Sequence, residues 1–363
     1  MNLFDELGVD GLVVTGSTNR RYFSGWSADD HAPDRPSGVM LVLPAAAYLL
    51  ASPTNLPWAA AEARPDVTPM AMTSPWTEAI TSLIRQADVR RIGFEDAILP
   101  VRAFRDLEHM LGEDIDLVAA SDVLDRQRQV KSPREIAFLR RALAATDQAF
   151  TASAGTLRPG MTERELADII DDNLRRVGSE GTAFDTIVAS GPNAARPHHS
   201  PGDRAIEPGE PVIIDMGAKV EGYCGDLTRT VWIGQADEQL GTMYRLVAEA
   251  QRAAIDAVRA GVAGRDIDLA ARAVFAAAGK DEFFAHSVGH AVGLRIHEAP
   301  FLSQQSTDVL EAGNVVTIEP GLYLPGWGGV RIEDVVLVTD HGCENLTSAP
   351  KLLDVGETRP EPA

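Results

Sequence analysis

The sequence is poor in cysteine and lacks long apolar runs, and both absences restrict the class of protein. Its two cysteines, Cys224 and Cys343, form neither a metal-binding cluster nor a disulfide framework. No uncharged apolar stretch reaches the roughly 18 residues of a transmembrane helix. The first residues also lack a basic segment followed by an apolar core, as a signal peptide requires. We therefore expect a cytoplasmic protein with no membrane partner.

Positive charge is scarce as well. The chain has 33 Lys and Arg residues against 53 Asp and Glu residues, which gives a formal net charge of −20. Such a balance argues against binding to nucleic acid or to anionic membranes. Hydrophobic residues make up 45% of the 363 residues, so the chain can form a large core and is long enough for two domains.

The N-terminal part alternates strand and helix patterns. Apolar runs predict buried strands at 11–15, 38–43 and 91–94, and the spacing of apolar residues predicts helices at 77–85 and 101–111. These elements indicate a small α/β domain over 1–124.

A long loop separates the first two strands and contains two prolines, a tryptophan and a histidine. Such loops most often form only surface, but long loops carry function more often than short ones. We hypothesise that aromatic and basic residues of 26–36 reach across a dimer and close the active site of the partner.

The pattern changes between 125 and 133, which we interpret as a linker. Ser132, Pro133 and Glu135 form a helix-start pattern, with a capping serine, a proline in the first turn and an acid soon after. The second domain is predicted to span 134–363.

Two segments of this second domain resemble each other at an offset of 101 residues, 158–166 and 259–267. Each follows a long helical pattern and precedes a shorter helix and strand-like segments. A chance match is one explanation. The other is a pseudo-twofold α+β domain with a functional site at the seam between its halves, since the period lies outside the ordinary solenoid repeats.

Five acidic or imidazole side chains end or interrupt apolar, glycine-flanked strands: Asp215, Asp226, His290, Glu319 and Glu333. Each alone is most often structural, but several carboxylates are costly to bury together unless cations meet them. Four carboxylates balance the charge of two divalent cations, whereas a single zinc ion would not need them. An oxygen-rich site with one imidazole suits manganese, cobalt or iron, and also accommodates zinc.

Two such metal ions, bridged by carboxylates and by water, generate hydroxide at neutral pH and polarise a carbonyl group. The reaction indicated is hydrolysis of an amide-like bond. His198 and His297 are then available to bind substrate or to transfer protons.

The motifs around these residues resemble those of a known family. They are Asp-Met-Gly at 215–217, Gly-Asp-Leu-Thr-Arg-Thr at 225–230, Val-Gly-His at 288–290, Ile-Glu-Pro-Gly at 318–321 and Val-Arg-Ile-Glu-Asp-Val at 330–335. Together they resemble the pita-bread metallopeptidases of family M24, and 21–25 and 128–136 resemble the creatinase/prolidase branch. The resemblance implies a pseudo-twofold pita-bread catalytic domain, a smaller creatinase-like α/β domain before it, and a homodimer.

The resemblance also implies a role for each metal-binding side chain. Asp215 would chelate one of two divalent ions, with Mn²⁺ preferred over Co²⁺, Zn²⁺ or Fe²⁺. Asp226 and Glu333 would bridge both ions, and His290 and Glu319 would hold the second.

Four side chains would act around the metal ions. By the same resemblance, His198 would contact the substrate, and His297 would stabilise the scissile carbonyl or the tetrahedral intermediate. Glu319 would also carry a proton, and Thr228 would hydrogen-bond to the metal-binding carboxylates.

Substrate choice within the family stays open. Creatinase-type members lack the metal ligands, so the resemblance favours an Xaa-Pro dipeptidase (prolidase), with aminopeptidase P, acting on longer peptides, as the alternative. A noncatalytic binding protein is disfavoured because no ligand is replaced. Some prolidases bind the carboxylate of the dipeptide with an arginine where this chain has Phe301, so Arg295 and Arg331 are the candidates to replace it.

Overall fold

The computed structural model describes residues 3–30, 32, 34–236 and 238–351. The chain divides into two compact units, Met1–Arg128 and Gln129–Ala363. Within the described residues, no helix combines the length and the apolar character that crossing a membrane requires.

The first unit is built on a six-stranded sheet with the strand order β4-β3-β2-β1-β5-β6. The predicted strands and helices are confirmed, with small shifts at their ends. Its strands are β1 (Gly11–Val14), β2 (Gly38–Leu43), β3 (Ala46–Ala51), β4 (Val67–Ala71), β5 (Arg91–Phe94) and β6 (Asp116–Ala119). Its helices are α1 (Leu3–Leu7), α2 (Ser17–Ser24), α3 (Leu56–Glu62), α4 (Trp76–Gln86), α5 (Val101–Leu111) and α6 (Ser121–Arg126). Strand β4 contains Pro69 and lies at the edge of the sheet, where a missing backbone N–H is tolerated.

The loop over 26–36 differs from the hypothesis in one respect. Trp26 is 0% exposed and belongs to the core of the first unit, with its ring edge-on to that of Trp58 at 5.7 Å. A buried indole cannot reach a partner subunit, so the hypothesis is wrong for this aromatic residue. His31 and Pro33 of the same loop lie outside the described residues.

The second unit contains two helix–helix–strand halves. The first half holds α7 (Pro133–Ala154), α8 (Glu163–Arg176), β7 (Ile187–Ser190), β8 (Val212–Met216), β9 (Lys219–Val220), β10 (Tyr223–Cys224) and β11 (Leu227–Val231). The second half holds α9 (Glu238–Ala257), α10 (Gly264–Ala277), β12 (Gly289–Ala291), β13 (Glu298–Leu302), β14 (Val315–Ile318), β15 (Gly321–Leu324), β16 (Gly328–Arg331), β17 (Asp334–Val338) and β18 (Cys343–Asn345). The main sheets have the orders β11-β8-β7 and β13-β12-β14-β17-β18.

The repeat predicted from the sequence is present in the backbone. Gly160 and Gly261 have nearly equal φ angles of 82° and 83°, in the left-handed region that glycine adopts without strain. Two residues after each glycine, the chain forms an isolated antiparallel bridge, through Thr162 in one half and Ala263 in the other. The two halves therefore turn from their first helix into their second in the same way, and chance does not explain the match.

The helix starts also follow the sequence pattern. Ser132 caps α7 and forms a capping box with Glu135, and Pro133 occupies the first turn. This arrangement satisfies backbone N–H groups that have no partner inside the helix. Thr162 and Glu165 form the same box at the start of α8.

Candidate metal centre and active-site pocket

The first half of the second unit brings two acidic side chains to one end of a buried strand pair. Asp215 lies within β8, opposite Thr228 of the antiparallel strand β11, and Asp226 immediately precedes β11. The connection between the strands returns very close to itself, because a Cβ atom at Gly217 would lie 2.1 Å from the carbonyl oxygen of Gly225. Glycine at 217 therefore allows the approach that places both carboxylates together.

The second half contributes three more side chains, which also lie in or next to paired strands. Glu319 follows β14 and Glu333 precedes β17, and these strands pair antiparallel up to their neighbours Ile318 and Asp334. His290 lies in β12, which pairs with β14. The residue before it must be glycine, because a Cβ atom at Gly289 would lie 2.0 Å from the carbonyl oxygen of Thr317.

The five side chains converge. Carboxylate oxygens of Asp215, Asp226 and Glu333 all lie within 4.8 Å of one another. His290 Nε2 lies 3.8 Å from Asp226 Oδ2 and 3.2 Å from Glu319 Oε1. Side chains that are more than a hundred positions apart in the sequence thus form one cluster at the seam of the two halves.

The electrostatics of this cluster fit a divalent metal centre. Burial, and then the nearby charges of Glu333 and Asp215, raise the pKa of Asp226 well above its ordinary value. Burial, and then the charges of Glu319 and Asp215, do the same to the pKa of Glu333. Asp215 Oδ1 and Glu333 Oε1 are buried without a hydrogen-bond partner in the part of the chain that the structure describes. Cations would relieve the repulsion and give both oxygens a partner.

Two neighbouring side chains hold the carboxylates in place. Thr228 Oγ1 donates a hydrogen bond of 2.8 Å to Glu333 Oε2. Arg331 is 2% exposed, and its Nη2 donates to Asp215 Oδ2 at 2.6 Å. Its other two nitrogens donate to Thr228 Oγ1, the Tyr323 hydroxyl and the carbonyl oxygen of Pro197. A substrate carboxylate at Arg331 would have to compete with these bonds.

Arg295, the other arginine suggested by the sequence, lies in the connection between β12 and β13. Its backbone N–H donates to Glu298 Oε1 at 3.1 Å, and its carbonyl accepts from the backbone N–H of Gly293 at 3.0 Å. Arg295 is not one of the described residues that line the pocket.

A cavity of about 480 Å³ opens onto the cluster. The predicted His198 and His297 both line it, and the ring of His297 lies 4.3 Å from that of His290, edge to face. Much of the remaining wall is apolar, and its apolar part is formed by Phe184, Ile187, Pro197, Pro201, Ile296 and Phe301. Such a pocket, apolar with a few convergent polar groups, suits a small organic substrate.

Sequence reasoning missed two histidines at this cavity. His286 lines it and makes a 2.8 Å hydrogen bond with the Tyr323 hydroxyl, and burial lowers the pKa of His286 to about 4. Its imidazole is therefore neutral at neutral pH. His199 also lines the cavity and is hydrogen-bonded to the buried Glu163. The adjacent pair of histidines at 198 and 199 is the one sequence signal that could have pointed to His199.

Comparisons with known proteins agree with this geometry. The family model "Metallopeptidase family M24" matches residues 137–340, and the model "Creatinase/Prolidase N-terminal domain" matches residues 2–130. An Xaa-Pro dipeptidase of Pyrococcus horikoshii is 33% identical over 97% of each chain.

Solved structures are similar over nearly the whole chain. An Xaa-Pro dipeptidase from Bacillus anthracis has a TM-score of 0.90 and 34% identity, covering 97% of this chain and 96% of that one. An X-Pro aminopeptidase from Thermotoga maritima has a TM-score of 0.88 and 31% identity, covering 97% of this chain and 99% of that one. The predicted fold class, an α+β pita-bread domain preceded by a smaller α/β domain, is confirmed, and the chain belongs to metallopeptidase family M24.

Proposed function

We propose that this protein is an Xaa-Pro dipeptidase, which hydrolyses the peptide bond preceding proline with the help of two divalent metal ions. The observation that carries the proposal is the convergence of five ligand-type side chains, four of which line a largely apolar pocket. Two buried carboxylate oxygens of this cluster lack a partner among the described residues. The names of the similar proteins from Pyrococcus horikoshii and Bacillus anthracis support the choice of substrate.

The metal ions would be held by Asp215, Asp226, His290, Glu319 and Glu333. Manganese suits this oxygen-rich donor set best, and cobalt, zinc or iron also match it. When bound, the ions would supply Lewis-acid activation of a water molecule and of the scissile carbonyl group.

The side chains around the centre would bind substrate and move protons. His297 would donate a hydrogen bond to the scissile carbonyl oxygen, and His198 would contact the bound peptide, since both line the pocket. Glu319 would accept a proton from the attacking water and return it to the departing proline nitrogen. Arg331 and Thr228 would keep Asp215 and Glu333 in position through the hydrogen bonds described above.

The alternative activity is that of aminopeptidase P. One observation favours it: Arg331 is the one arginine or lysine among the described residues that line the pocket, and it already donates to Asp215. A dipeptide brings a free carboxylate next to its proline, whereas a longer peptide does not. The similar X-Pro aminopeptidase from Thermotoga maritima is consistent with this reading.

Hydrolysis of Ala-Pro and of Ala-Pro-Ala separates these activities. The protein is first stripped with a chelator, its metal content is measured, and manganese is then added back. We expect turnover of Ala-Pro that depends on metal. Turnover of the tripeptide alone would favour aminopeptidase P. Failure to bind metal or to cleave either peptide would favour a noncatalytic binding protein.

We also propose a homodimer located in the cytoplasm, as the family resemblance implies. Light scattering coupled to size-exclusion chromatography tests the first part, and a mass equal to the 38.9 kDa chain would contradict it. Fractionation of cells tests the location.

A further inference from the structure

Glu163 is a fully buried carboxylate that lies outside the metal cluster. It is the first residue of α8 and is 0% exposed. Oε1 accepts hydrogen bonds from the backbone N–H and the hydroxyl of Ser190 at 2.8 Å each and from Asn193 Nδ2 at 3.0 Å. Oε2 accepts from His199 Nε2 at 2.8 Å and from the backbone N–H of Gly202 at 3.1 Å. One side chain therefore joins the start of α8, the end of β7 and the segment around 196–202.

That segment forms one wall of the pocket. Five consecutive residues, Pro197 to Pro201, line the cavity, and none of them belongs to a strand or a helix. Without a ladder of backbone hydrogen bonds, the position of such a segment depends on the few bonds at its ends. Among these, the two bonds to Glu163 Oε2 bracket Ser200 and Pro201 and lie immediately after His198.

The chemistry of the Glu163–His199 bond fixes its direction. Burial opposes ionisation of Glu163, but hydrogen bonds from Asn193, Ser190 and His199 outweigh it and hold the pKa of this carboxyl below its ordinary value. An ionised carboxylate only accepts hydrogen bonds, so the hydrogen lies on His199 Nε2. The side chain of His199 is 12% exposed, which leaves it little freedom to adopt another rotamer.

We propose that Glu163 is a positioning residue that, through His199, holds the 197–201 wall so that His198 meets the bound peptide. The inference rests on the proposed function in one respect, the contact of His198 with substrate. Neither Glu163 nor His199 touches the reacting atoms in this scheme. Loss of the bond would leave the metal ligands intact but would misplace His198.

Matched substitutions at His199 test the bond without removing the buried carboxylate. Gln in His199→Gln keeps an N–H donor at a similar distance, whereas Leu in His199→Leu does not. We expect His199→Leu and Glu163→Gln to lower kcat for Ala-Pro by about tenfold to a hundredfold, the scale of a 1 Å misplacement. His199→Gln should recover most of the rate. The control Glu165→Gln, on the same helix but exposed and bonded to Thr162, should match the wild type.

A second background separates positioning from a general loss of structure. If Glu163 and His199 act through His198, then His199→Leu should cause no further loss in a His198→Ala protein. An equal additional loss in that background would overturn the inference. If Glu163→Gln fails to fold, the comparison of His199→Leu with His199→Gln still decides the question.

Histidine ¹⁵N NMR of the metal-free protein provides a readout that does not depend on activity. We expect His199 to carry its hydrogen on Nε2, and we expect the His198 signals to shift in Glu163→Gln. A neutral His199 whose hydrogen lies only on Nδ1, or unchanged His198 signals, would overturn the inference even if Ala-Pro is cleaved normally. The expected spectra in a protein that does not cleave Ala-Pro would instead count against the proposed function alone.

Discussion

Arg331 and Asp215 form a buried ion pair, with 2.6 Å between Nη2 and Oδ2 and side-chain exposures of 2% and 12%. The pair neutralises one carboxylate of a crowded acidic cluster through Oδ2, while Oδ1 has no hydrogen-bond partner among the residues that the structure describes. Removing the cation would leave a buried carboxylate among others of the same sign.

The first prediction follows from that pair. Arg331→Met should lower the free energy of unfolding of the metal-free protein by about 3–5 kcal/mol, since removing the arginine leaves the buried charge of Asp215 uncompensated. Urea denaturation measures the change. The matched control is Arg140→Met, which breaks an exposed 2.7 Å pair with Glu344 and should cost less than about 1 kcal/mol. Equal losses in the two variants would contradict the account.

The second prediction concerns the proposed metal ligands. Manganese should raise the melting temperature of the wild-type protein, because a ligand that binds the folded state alone stabilises it by about 2.7 kcal/mol at a hundred times its Kd. Asp226→Asn replaces a negatively charged carboxylate of the cluster by a neutral amide and should abolish this rise in melting temperature. Asp203→Asn changes a carboxylate that is 87% exposed and should leave the rise intact. Calorimetry with and without metal is the measurement, and a retained rise in Asp226→Asn would exclude this residue as a ligand.

The third prediction concerns substrate length. Phe301 lines the pocket and is 43% exposed. A longer, charged side chain can therefore replace it without placing its charge in the protein core. Phe301→Arg should raise kcat/KM for Ala-Pro relative to Ala-Pro-Ala by about tenfold to a hundredfold, the worth of one hydrogen bond to a charged group. Val309→Arg, a substitution at an exposed residue outside the described pocket lining, should leave the ratio unchanged. A ratio that does not move in Phe301→Arg would mean that the substrate carboxylate lies elsewhere.

Sequence reasoning found the parts of the site that leave a local signature. A carboxylate or imidazole that interrupts an apolar, glycine-flanked strand is visible in the sequence, and the five residues found in this way converge in the structure. The repeat also left a local signature, because the left-handed backbone conformation at positions 160 and 261 favours glycine in both halves.

The remainder depends on contacts that no local pattern encodes. Arg331 and Asp215 are 116 residues apart, so nothing in the sequence indicates that the arginine is already paired. Glu163 has the pattern of an ordinary acid at a helix start, where a solvent-exposed side chain is usual. Trp26 stands in a polar, proline-rich loop, and only the packing of the first unit reveals that it is buried.

The fourth prediction is the pH dependence of stability at Glu163. Its folded-state pKa lies below the ordinary value of 4.5, so the stabilisation is complete above about pH 4.5 and is lost as the pH falls through the folded-state value. Glu163→Gln should therefore cost about 1–3 kcal/mol at pH 7, the penalty for unmatched buried donors, and less at lower pH. Urea unfolding from pH 7 to pH 3 measures the difference. A Glu249→Gln control, at an exposed position of α9, should follow the wild-type curve. A difference that grows on acidification would contradict the lowered pKa.

Because the second unit consists of two halves, dividing the chain between them should separate the residues of the cluster. Asp215 and Asp226 come from one half, whereas His290, Glu319 and Glu333 come from the other. Gly234 lies in an exposed bend between them, with a φ of 72°. Fragments divided after this glycine would each carry an incomplete set of the proposed metal ligands. If the proposed ligands hold metal ions, divalent cations should strengthen complementation of the two fragments, because an ion would contact ligands from both fragments only in the reassembled pair.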